Sequence, residues 1–297
     1  MVDQVDVVAI DLPSGTLSGP VRDAVELTAG ALGPKLVRGA AEVGTPLSGL
    51  PEAMGATALL EAAERAEGHV HSLADPADGR RYEARPWAMA AAWLRSRAAE
   101  LAAGLGPDYL ERTSAALAEI AAGWMREARD LYDAGRTADR YLAAVQGTRG
   151  ALGALAAELG GRQAGLDREV VGRLAGSARG LASAARLRDD LLEFTDSNEP
   201  GRPEGQSLAR GVYSLPVILS LERDPGLAKS LGGAIAPADL APLVERIWSA
   251  AGPLEASARC RELTENALSA LGDIEGAETF GGIGAGIIED CGLAVTR

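Results

Sequence analysis

Apolar residues recur every three or four positions along most of the chain, which is the spacing that gathers them on one face of an α-helix. Gly, Pro and Asp residues interrupt this pattern and divide it into about ten segments. The clearest predicted helices are Val21–Leu32, Met54–Ser72, Trp87–Gly104, Tyr109–Tyr132, Asp139–Leu159, Arg168–Asp196, Leu208–Glu222, Pro237–Ala251 and Leu254–Leu271. Asp108, Thr137 and Asp167 are the predicted N-caps, and Phe194–Gly205 is the clearest predicted loop. Without a β-rich block or a fixed-period repeat, the pattern predicts an all-α fold and one domain over residues 1–297.

Composition supports the helical prediction and narrows the possible partners. Hydrophobic residues make up 47% of the chain and aromatic residues only 4%, and the dominant Ala and Leu favour helix. The net charge of −13 makes nucleic acid and anionic lipid poor partners.

No apolar run approaches the roughly 20 residues of a membrane span. Residues 1–10 lack the basic cluster of a signal peptide, so we expect a cytoplasmic protein. Cys260 and Cys291 fit no metal-binding spacing and are expected to be buried thiols.

Three carboxylates on one predicted helix are the first candidates for chemistry. Asp189, Asp190 and Glu193 stand at positions i, i+1 and i+4, so Asp189 and Glu193 share a face one turn apart. Carboxylates this close repel one another, and a hard cation such as Mg²⁺ between them relieves the repulsion. The alternative is a solvated acidic patch, or carboxylates paired with Arg186 and Arg188.

The stretch 186–216, RLRDDLLEFTDSNEPGRPEGQSLARGVYSLP, resembles the second aspartate-rich region of the trans-isoprenyl diphosphate synthases, the polyprenyl synthetase family. That family carries DDxxD, then a loop G-K-P-x-G-x-D-L, then G-K-x-T-L-P. This chain has DDLLE, GRPEGQSL and GVYSLP in the same order and at similar spacing. The resemblance implies an isoprenoid synthase-type helical bundle around a central cavity, a homodimer, and Mg²⁺ held by Asp189, Asp190 and Glu193.

Basic residues extend the resemblance along the chain. The segment GPKLVRG, 33–39, is similar to the family's G-G-K-R-L-R-P, which places Lys35 and Arg38 where the family holds the diphosphate of isopentenyl diphosphate, the homoallylic substrate. Arg80 and Arg81 resemble an Arg-Arg pair that contacts the diphosphates of both substrates. The candidate substrate-binding residues are Lys35, Arg38, Arg65, Arg80, Arg81, Arg149, Arg186 and Arg202. The candidate catalytic residues are Asp189, Asp190 and Arg81.

The first aspartate-rich motif of the family is the clearest departure. The expected H-D-D-x-x-x-x-D reads HSLADPAD over residues 71–78, so Ser72 and Leu73 replace the paired aspartates. Asp78 and Asp75 remain as candidate metal ligands. Glu67 falls in the helix that lines the family's tail pocket, where an unpaired carboxylate costs several kcal/mol. We therefore expect Glu67 to pair with a cation, the helix to be rotated, or the pocket not to accept a plain prenyl tail.

Other family positions differ as well. The lysine of G-K-x-T is Val212 here, and the aspartate of G-x-D-L is Ser207. The mid-chain Lys-Thr is Thr148–Arg149, and Glu127 replaces the glutamine that precedes Asp130 in G-Q-x-x-D-L.

Three functions follow from this combination. The first is an atypical Mg²⁺-dependent prenyltransferase acting on allylic prenyl diphosphates. The second is a terpene cyclase using one prenyl diphosphate, and the third is a non-catalytic regulatory or partner subunit of an isoprenyl diphosphate synthase. The substrate-binding functions require that the acidic helix around Asp189 and the pair Lys35 and Arg38 face one common cavity.

Overall fold

The computed structural model describes residues 18–26, 31–45, 47–73, 81–195, 204–233 and 235–295. Across these ranges the regular structure is helical, with no β-strand, which confirms the all-α prediction. The thirteen α-helices in these ranges are α1 (Ser18–Glu26), α2 (Leu32–Glu42), α3 (Leu50–Leu73), α4 (Arg81–Leu105), α5 (Pro107–Arg129), α6 (Ala138–Val145), α7 (Ala151–Gln163), α8 (Arg168–Leu192), α9 (Gln206–Ala209), α10 (Leu215–Arg223), α11 (Pro237–Ser249), α12 (Gly252–Ser269) and α13 (Glu278–Ala294). In the parts of the chain that the structure covers, no helix combines the length and apolar character needed to span a membrane.

Two features of the helices differ from the sequence-based prediction. The predicted helix Asp139–Leu159 is interrupted by a π-helical turn, Gln146–Gly150, between α6 and α7. Hydrophobic period alone does not predict α13, because its five glycines each lower helix propensity by about 1 kcal/mol relative to alanine. Burial of Ile287 and Cys291 stabilises α13 despite this composition.

Side-chain caps fix where two helices begin. Thr137 caps α6 by accepting a hydrogen bond from the backbone N–H of Arg140, and Asp167 caps α8 through the N–H of Val170 at 2.9 Å. Both predicted N-caps are therefore confirmed. Asp108 is the second residue of α5, whose first residue is Pro107, so the cap position is Gly106, two positions before the predicted cap. The negative charge of Asp108 still suits the positive end of the helix dipole.

The first of two compact units comprises residues 1–118, 151–178 and 271–280. In its described part α3 packs along α4, and α2 contacts both α3 and α7. Gly160 of α7 permits a close approach, since a Cβ at this position would lie 2.1 Å from the carbonyl oxygen of Val37 on α2. Leu36 and Val37 are fully buried. These contacts fix α2, the helix that carries Lys35 and Arg38.

The second unit comprises residues 119–150, 179–270 and 281–297. Within it α10 packs against α6, α11 and α12. Its buried core consists of Phe194, Leu208, Tyr213, Val217, Leu227, Leu240, Leu243, Val244 and Ile247. This core includes Phe194, the first residue of the predicted loop Phe194–Gly205, and residues from Leu208 onward that follow the loop. The chain thus divides into two compact units, and the single domain predicted over residues 1–297 stays a prediction.

Candidate functional site

Asp190 of α8 lies at the centre of a buried polar cluster in the second unit. Its carboxylate accepts a hydrogen bond of 2.6 Å from the hydroxyl of Tyr141 and forms an ion pair of 3.0 Å with Arg186, one turn earlier on α8. Only 5% of Asp190 is exposed. Burial raises the pKa of Asp190 to about 6, against the opposing effects of the Arg186 charge and the Tyr141 hydrogen bond. The cluster therefore holds Asp190 as an internal partner of Arg186 and Tyr141.

Glu193, immediately after α8, contacts the chain beyond the predicted loop. Its carboxylate accepts hydrogen bonds from the backbone N–H of Ser207 and, at 2.8 Å, from the Ser207 hydroxyl. Ser207 stands where the family has an aspartate, and a hydroxyl can donate to Glu193 whereas an ionised aspartate would repel it. Glu193 therefore stabilises the first turn of α9.

Asp189 is the most exposed carboxylate of the three. Half of its side chain is accessible, and it forms an ion pair of 2.6 Å with Arg188. Arg188 also reaches Asp290 of α13 at 3.3 Å. Asp189 is thus already balanced by a neighbouring guanidinium group.

The three carboxylates as arranged do not form a site for a divalent cation. Asp190 and Glu193 use their oxygens for the internal bonds described above, and Asp189 is paired with Arg188. Among the residues that the structure describes, no three His, Cys, Asp or Glu side chains are grouped so that they could hold a metal ion. We therefore assign no chemical step to a metal at α8, and the role of these residues as Mg²⁺ ligands stays a prediction.

A second ion-pair cluster adjoins Tyr141. Arg136, which is 4% exposed, donates to Glu127 at 2.7 Å and to the carbonyl oxygen of Tyr213 at 3.1 Å, and its guanidinium lies 5.1 Å from the centre of the Tyr141 ring. It also approaches Asp130 at 3.4 Å. Tyr141 therefore connects this cluster with Asp190.

Asp130 is the most highly bonded carboxylate of this region. Besides Arg136 it pairs with Arg129 and Arg140, and Arg140 also binds Asp133 at 2.9 Å. Burial raises the pKa of Asp130, but the bonds from Arg129 and Arg140 and the charges of Arg140 and Arg136 outweigh it, so the pKa lies below its ordinary value. The two clusters contain four guanidinium groups and four carboxylates, Arg129, Arg136, Arg140, Arg186, Glu127, Asp130, Asp133 and Asp190. The four positive and the four negative side chains are therefore paired with one another.

The sequence alone does not identify Arg136, Arg140 or Tyr141 as members of this region. Around Arg136 the sequence signals are Asp130, which matches a family position, and Glu127, which replaces the family's glutamine. The other contacts join residues far apart in sequence, such as Tyr141 with Asp190 and Arg136 with Tyr213, 49 and 77 positions apart. No local pattern indicates pairs of that kind.

The π-helical turn carries the predicted substrate-binding residue Arg149, which is half-buried. The neighbouring Thr148 hydroxyl donates to the carbonyl oxygen of Ala144 at 3.0 Å. Gly123 of α5 faces this turn, and a Cβ there would lie 2.6 Å from Thr148 and 2.7 Å from Gly147. A π-helical turn is uncommon and is often found at functional sites.

Lys35 and Arg38 lie one turn apart on α2 in the first unit. Lys35 is exposed and Arg38 is half-buried, and neither has a hydrogen bond or ion pair with any residue in the described ranges. The positive end of α2 is occupied by Glu61, whose carboxylate accepts from the N–H groups of Leu32 at 3.3 Å and Gly33 at 2.9 Å. An anion at α2 would therefore meet the two side chains rather than the helix end.

Cations compensate the acidic residues of α3. Arg95 binds Glu67 at 3.1 Å and the buried Glu64 at 3.3 Å, which confirms the expectation that Glu67 pairs with a cation. The predicted substrate-binding residue Arg65 lies 3.9 Å from Glu61. This face of α3 is a network of internal ion pairs.

Several predicted site residues lie outside the described residues, namely Asp75, Asp78, Arg80 and Arg202. Arg81 is the first residue of α4, but its side chain is not among those described. Asp189 belongs to the second unit, and Lys35 and Arg38 belong to the first. The expectation that these groups face one cavity stays a prediction.

Comparison with known proteins finds similarity to prenyl diphosphate synthases. No protein-family model matches the chain. It is 31% identical over 143 residues to the nonaprenyl diphosphate synthase of Mycobacterium tuberculosis, covering 48% of this chain and 43% of that protein. It is 27% identical over 159 residues to heptaprenyl diphosphate synthase component 2 of Geobacillus stearothermophilus, covering 52% of this chain and 50% of that protein. The matches thus span half or less of these relatives.

The fold agrees with this similarity. The structure matches a polyprenyl synthase from Caulobacter crescentus, solved with calcium and isoprenyl diphosphate, with a TM-score of 0.80, 20% identity, and coverage of 99% of this chain and 92% of that one. The helical fold is therefore that of the isoprenyl diphosphate synthases. The chain is thus similar to the trans-isoprenyl diphosphate synthases, the polyprenyl synthetases, in sequence over about half of its length and in fold over nearly all of it.

Proposed function

We propose that the chain binds an allylic prenyl diphosphate and transfers its prenyl group in isoprenoid biosynthesis. The observation that carries this proposal is the 31% identity to a nonaprenyl diphosphate synthase over 143 residues. Similarity of fold alone would not support this proposal, because proteins of one fold can have many different activities.

The cations of α2 support the proposed binding of a diphosphate. Lys35 and Arg38 have no partner among the described residues and stand one turn apart, so both side chains can reach one diphosphate. By the resemblance, the diphosphate held at this position is that of isopentenyl diphosphate, which stays attached to the product while pyrophosphate leaves from the allylic substrate. Family members generally depend on a divalent metal, and we propose that this chain uses Mg²⁺.

A turnover assay tests the proposal. Purified protein is incubated with geranyl, farnesyl or geranylgeranyl diphosphate, with and without isopentenyl diphosphate, in Mg²⁺ or in EDTA. We expect pyrophosphate release and a longer linear prenyl diphosphate when both substrates are present. A cyclic hydrocarbon formed without isopentenyl diphosphate would indicate a terpene cyclase instead. No pyrophosphate release with any substrate would overturn the proposal.

The second candidate is a non-catalytic partner subunit of an active synthase. The internal pairing of Asp189, Asp190 and Glu193 favours it, because these carboxylates are already bonded to protein groups. One of the relatives is itself named as a component of a heptaprenyl diphosphate synthase. Co-purification with a synthase that retains both aspartate-rich motifs, together with altered product length, would support this candidate. Turnover by the isolated chain would exclude it.

A further inference from the structure

Two thiols are in direct contact in the second unit. Cys260 of α12 and Cys291 of α13 are free cysteines with their sulfur atoms 3.0 Å apart. This separation is only about 1 Å longer than a disulfide bond. Cys260 is 1% exposed and Cys291 is fully buried, which confirms the expectation of buried thiols. Their sequence separation of 31 positions gives no sign that they touch.

The surrounding contacts hold the two sulfur atoms in this position. The Ser257 hydroxyl of α12 donates to the carbonyl oxygen of Cys291 at 3.1 Å. Gly284 of α13 lies against Leu268 of α12, where a Cβ would lie 2.8 Å from the leucine side chain. These two contacts fix the separation and register of α12 and α13 on either side of the thiols.

The thiol pair also contacts the acidic helix α8. The sulfur of Cys260 lies 3.3 Å from the carbonyl oxygen of Ala184. One turn further along α8, Arg188 pairs with both Asp189 and Asp290, and Asp290 precedes Cys291. The thiols therefore lie where α8, α12 and α13 meet, close to the segment that holds the candidate carboxylates.

We propose that Cys260 and Cys291 form an oxidation site, a dithiol that hydrogen peroxide converts into an intramolecular disulfide. The thiolate of one cysteine attacks a peroxide oxygen and becomes a sulfenic acid, and the peroxide O–O bond breaks to release water. The second thiol then attacks the sulfenic sulfur, the S–S bond forms, and a second water leaves. Two electrons pass from the two thiols to the peroxide, and a dithiol reductant reverses the change.

Burial controls the rate of this oxidation. Because both thiols are inaccessible in the closed structure, the peroxide reaches them only when the packing around α13 opens locally. Low concentrations of urea that favour such opening should therefore accelerate oxidation. Once formed, the bond closes a loop of 31 positions, and we expect it to raise the melting temperature by about 5–10 °C.

Intact-mass measurement and thiol counting test the proposal on the unmodified chain. After treatment with hydrogen peroxide we expect the loss of two hydrogen atoms in mass, no free thiol, and a peptide joined through Cys260 and Cys291. Dithiothreitol should restore both thiols. Two free thiols after oxidation, or oxygen atoms added to separate cysteines, would overturn the proposal.

The variants Cys260→Ser and Cys291→Ser are the controls. Each retains one thiol, so peroxide should add oxygen to that thiol and produce no intramolecular crosslink. The mass measurement on the wild type does not depend on these variants, so it tests the proposal even if a variant folds poorly. This proposal does not depend on prenyl transfer, so its outcome is separate from that of the turnover assay.

Discussion

Asp190 is the side chain whose surroundings the structure defines most fully. The family resemblance predicts a metal-binding carboxylate, which stays a prediction, and the structure gives Asp190 two protein partners, Arg186 and Tyr141. Removing one member of a buried ion pair leaves the other charge uncompensated in a medium of low polarity. The stability of α8 should therefore depend on this pair.

Replacing Arg186 tests that dependence. Arg186→Met removes the charge while keeping much of the side-chain volume, and the Arg186 side chain is 34% exposed, so part of the effect is screened. We expect the free energy of unfolding to fall by about 2 kcal/mol in urea denaturation. The control Arg188→Met breaks pairs with Asp189 and Asp290, whose side chains are 50% and 45% exposed, and should cost less than about 1 kcal/mol. Equal losses in both variants would contradict the assignment.

The pH dependence of stability tests the environment of Asp190. Its pKa is raised to about 6, mainly by burial, with Glu193 and Glu127 adding to the shift and Arg186 and Tyr141 opposing it. The folded state then binds this proton more tightly than the unfolded state, so its contribution to stability is present below about pH 4 and is lost as pH rises through 6.

The variant Asp190→Asn isolates this contribution. Asparagine does not titrate, so the unfolding free energy of the variant minus that of the wild type should rise between about pH 4 and about pH 6.5. Urea denaturation at several pH values measures the difference. A difference that stays level or falls over this range would contradict a raised pKa.

The packing of α2 against α7 includes one very close backbone contact. A Cβ added at Gly160 of α7 would lie only 2.1 Å from the backbone oxygen of Val37, and a backbone atom cannot move away without shifting α2. Because α2 carries Lys35 and Arg38, this contact also fixes the candidate diphosphate-binding side chains.

Gly160→Ala should therefore separate α2 from α7. We expect a loss of about 2–3 kcal/mol in the free energy of unfolding. Gly172→Ala is the matched control, since Gly172 is helical and has no neighbour within 4 Å of the added methyl group. That change should stabilise the protein by about 0.5–1 kcal/mol. Thermal and urea denaturation measure both, and a neutral Gly160→Ala would contradict the close packing.

The helices could largely be predicted from the sequence because hydrophobic period and capping residues are local signals. Thr137 and Asp167 begin helices as expected, whereas α13 is not predicted because its glycines obscure the pattern. The pairing of Glu193 with Ser207, of Asp190 with Tyr141, and of Cys260 with Cys291 depends on tertiary packing. The sequence therefore identifies α8 as a charged region, and only the fold shows how its charges are satisfied.

For the whole molecule, the family resemblance implies a homodimer. The chain has a mass of 30.5 kDa, so light scattering after size-exclusion chromatography should give about twice this value. A mass that stays at the single-chain value at micromolar concentration would contradict the homodimer. A larger complex that forms only with an added synthase would instead favour the partner-subunit candidate.

Recognition of a diphosphate by α2 is the central claim about the molecule. The chain has two lysines, Lys35 on α2 and the exposed Lys229 in the 3₁₀ helix Pro225–Ser230, so Lys229→Ala is a matched control for Lys35→Ala. Isothermal titration with isopentenyl diphosphate, with Mg²⁺ and with EDTA, measures binding to each variant. We predict saturable binding by the wild type and by Lys229→Ala, and at least about tenfold weaker binding by Lys35→Ala. Absence of binding by the wild type, or equal affinity in both lysine variants, would contradict recognition of the diphosphate by α2.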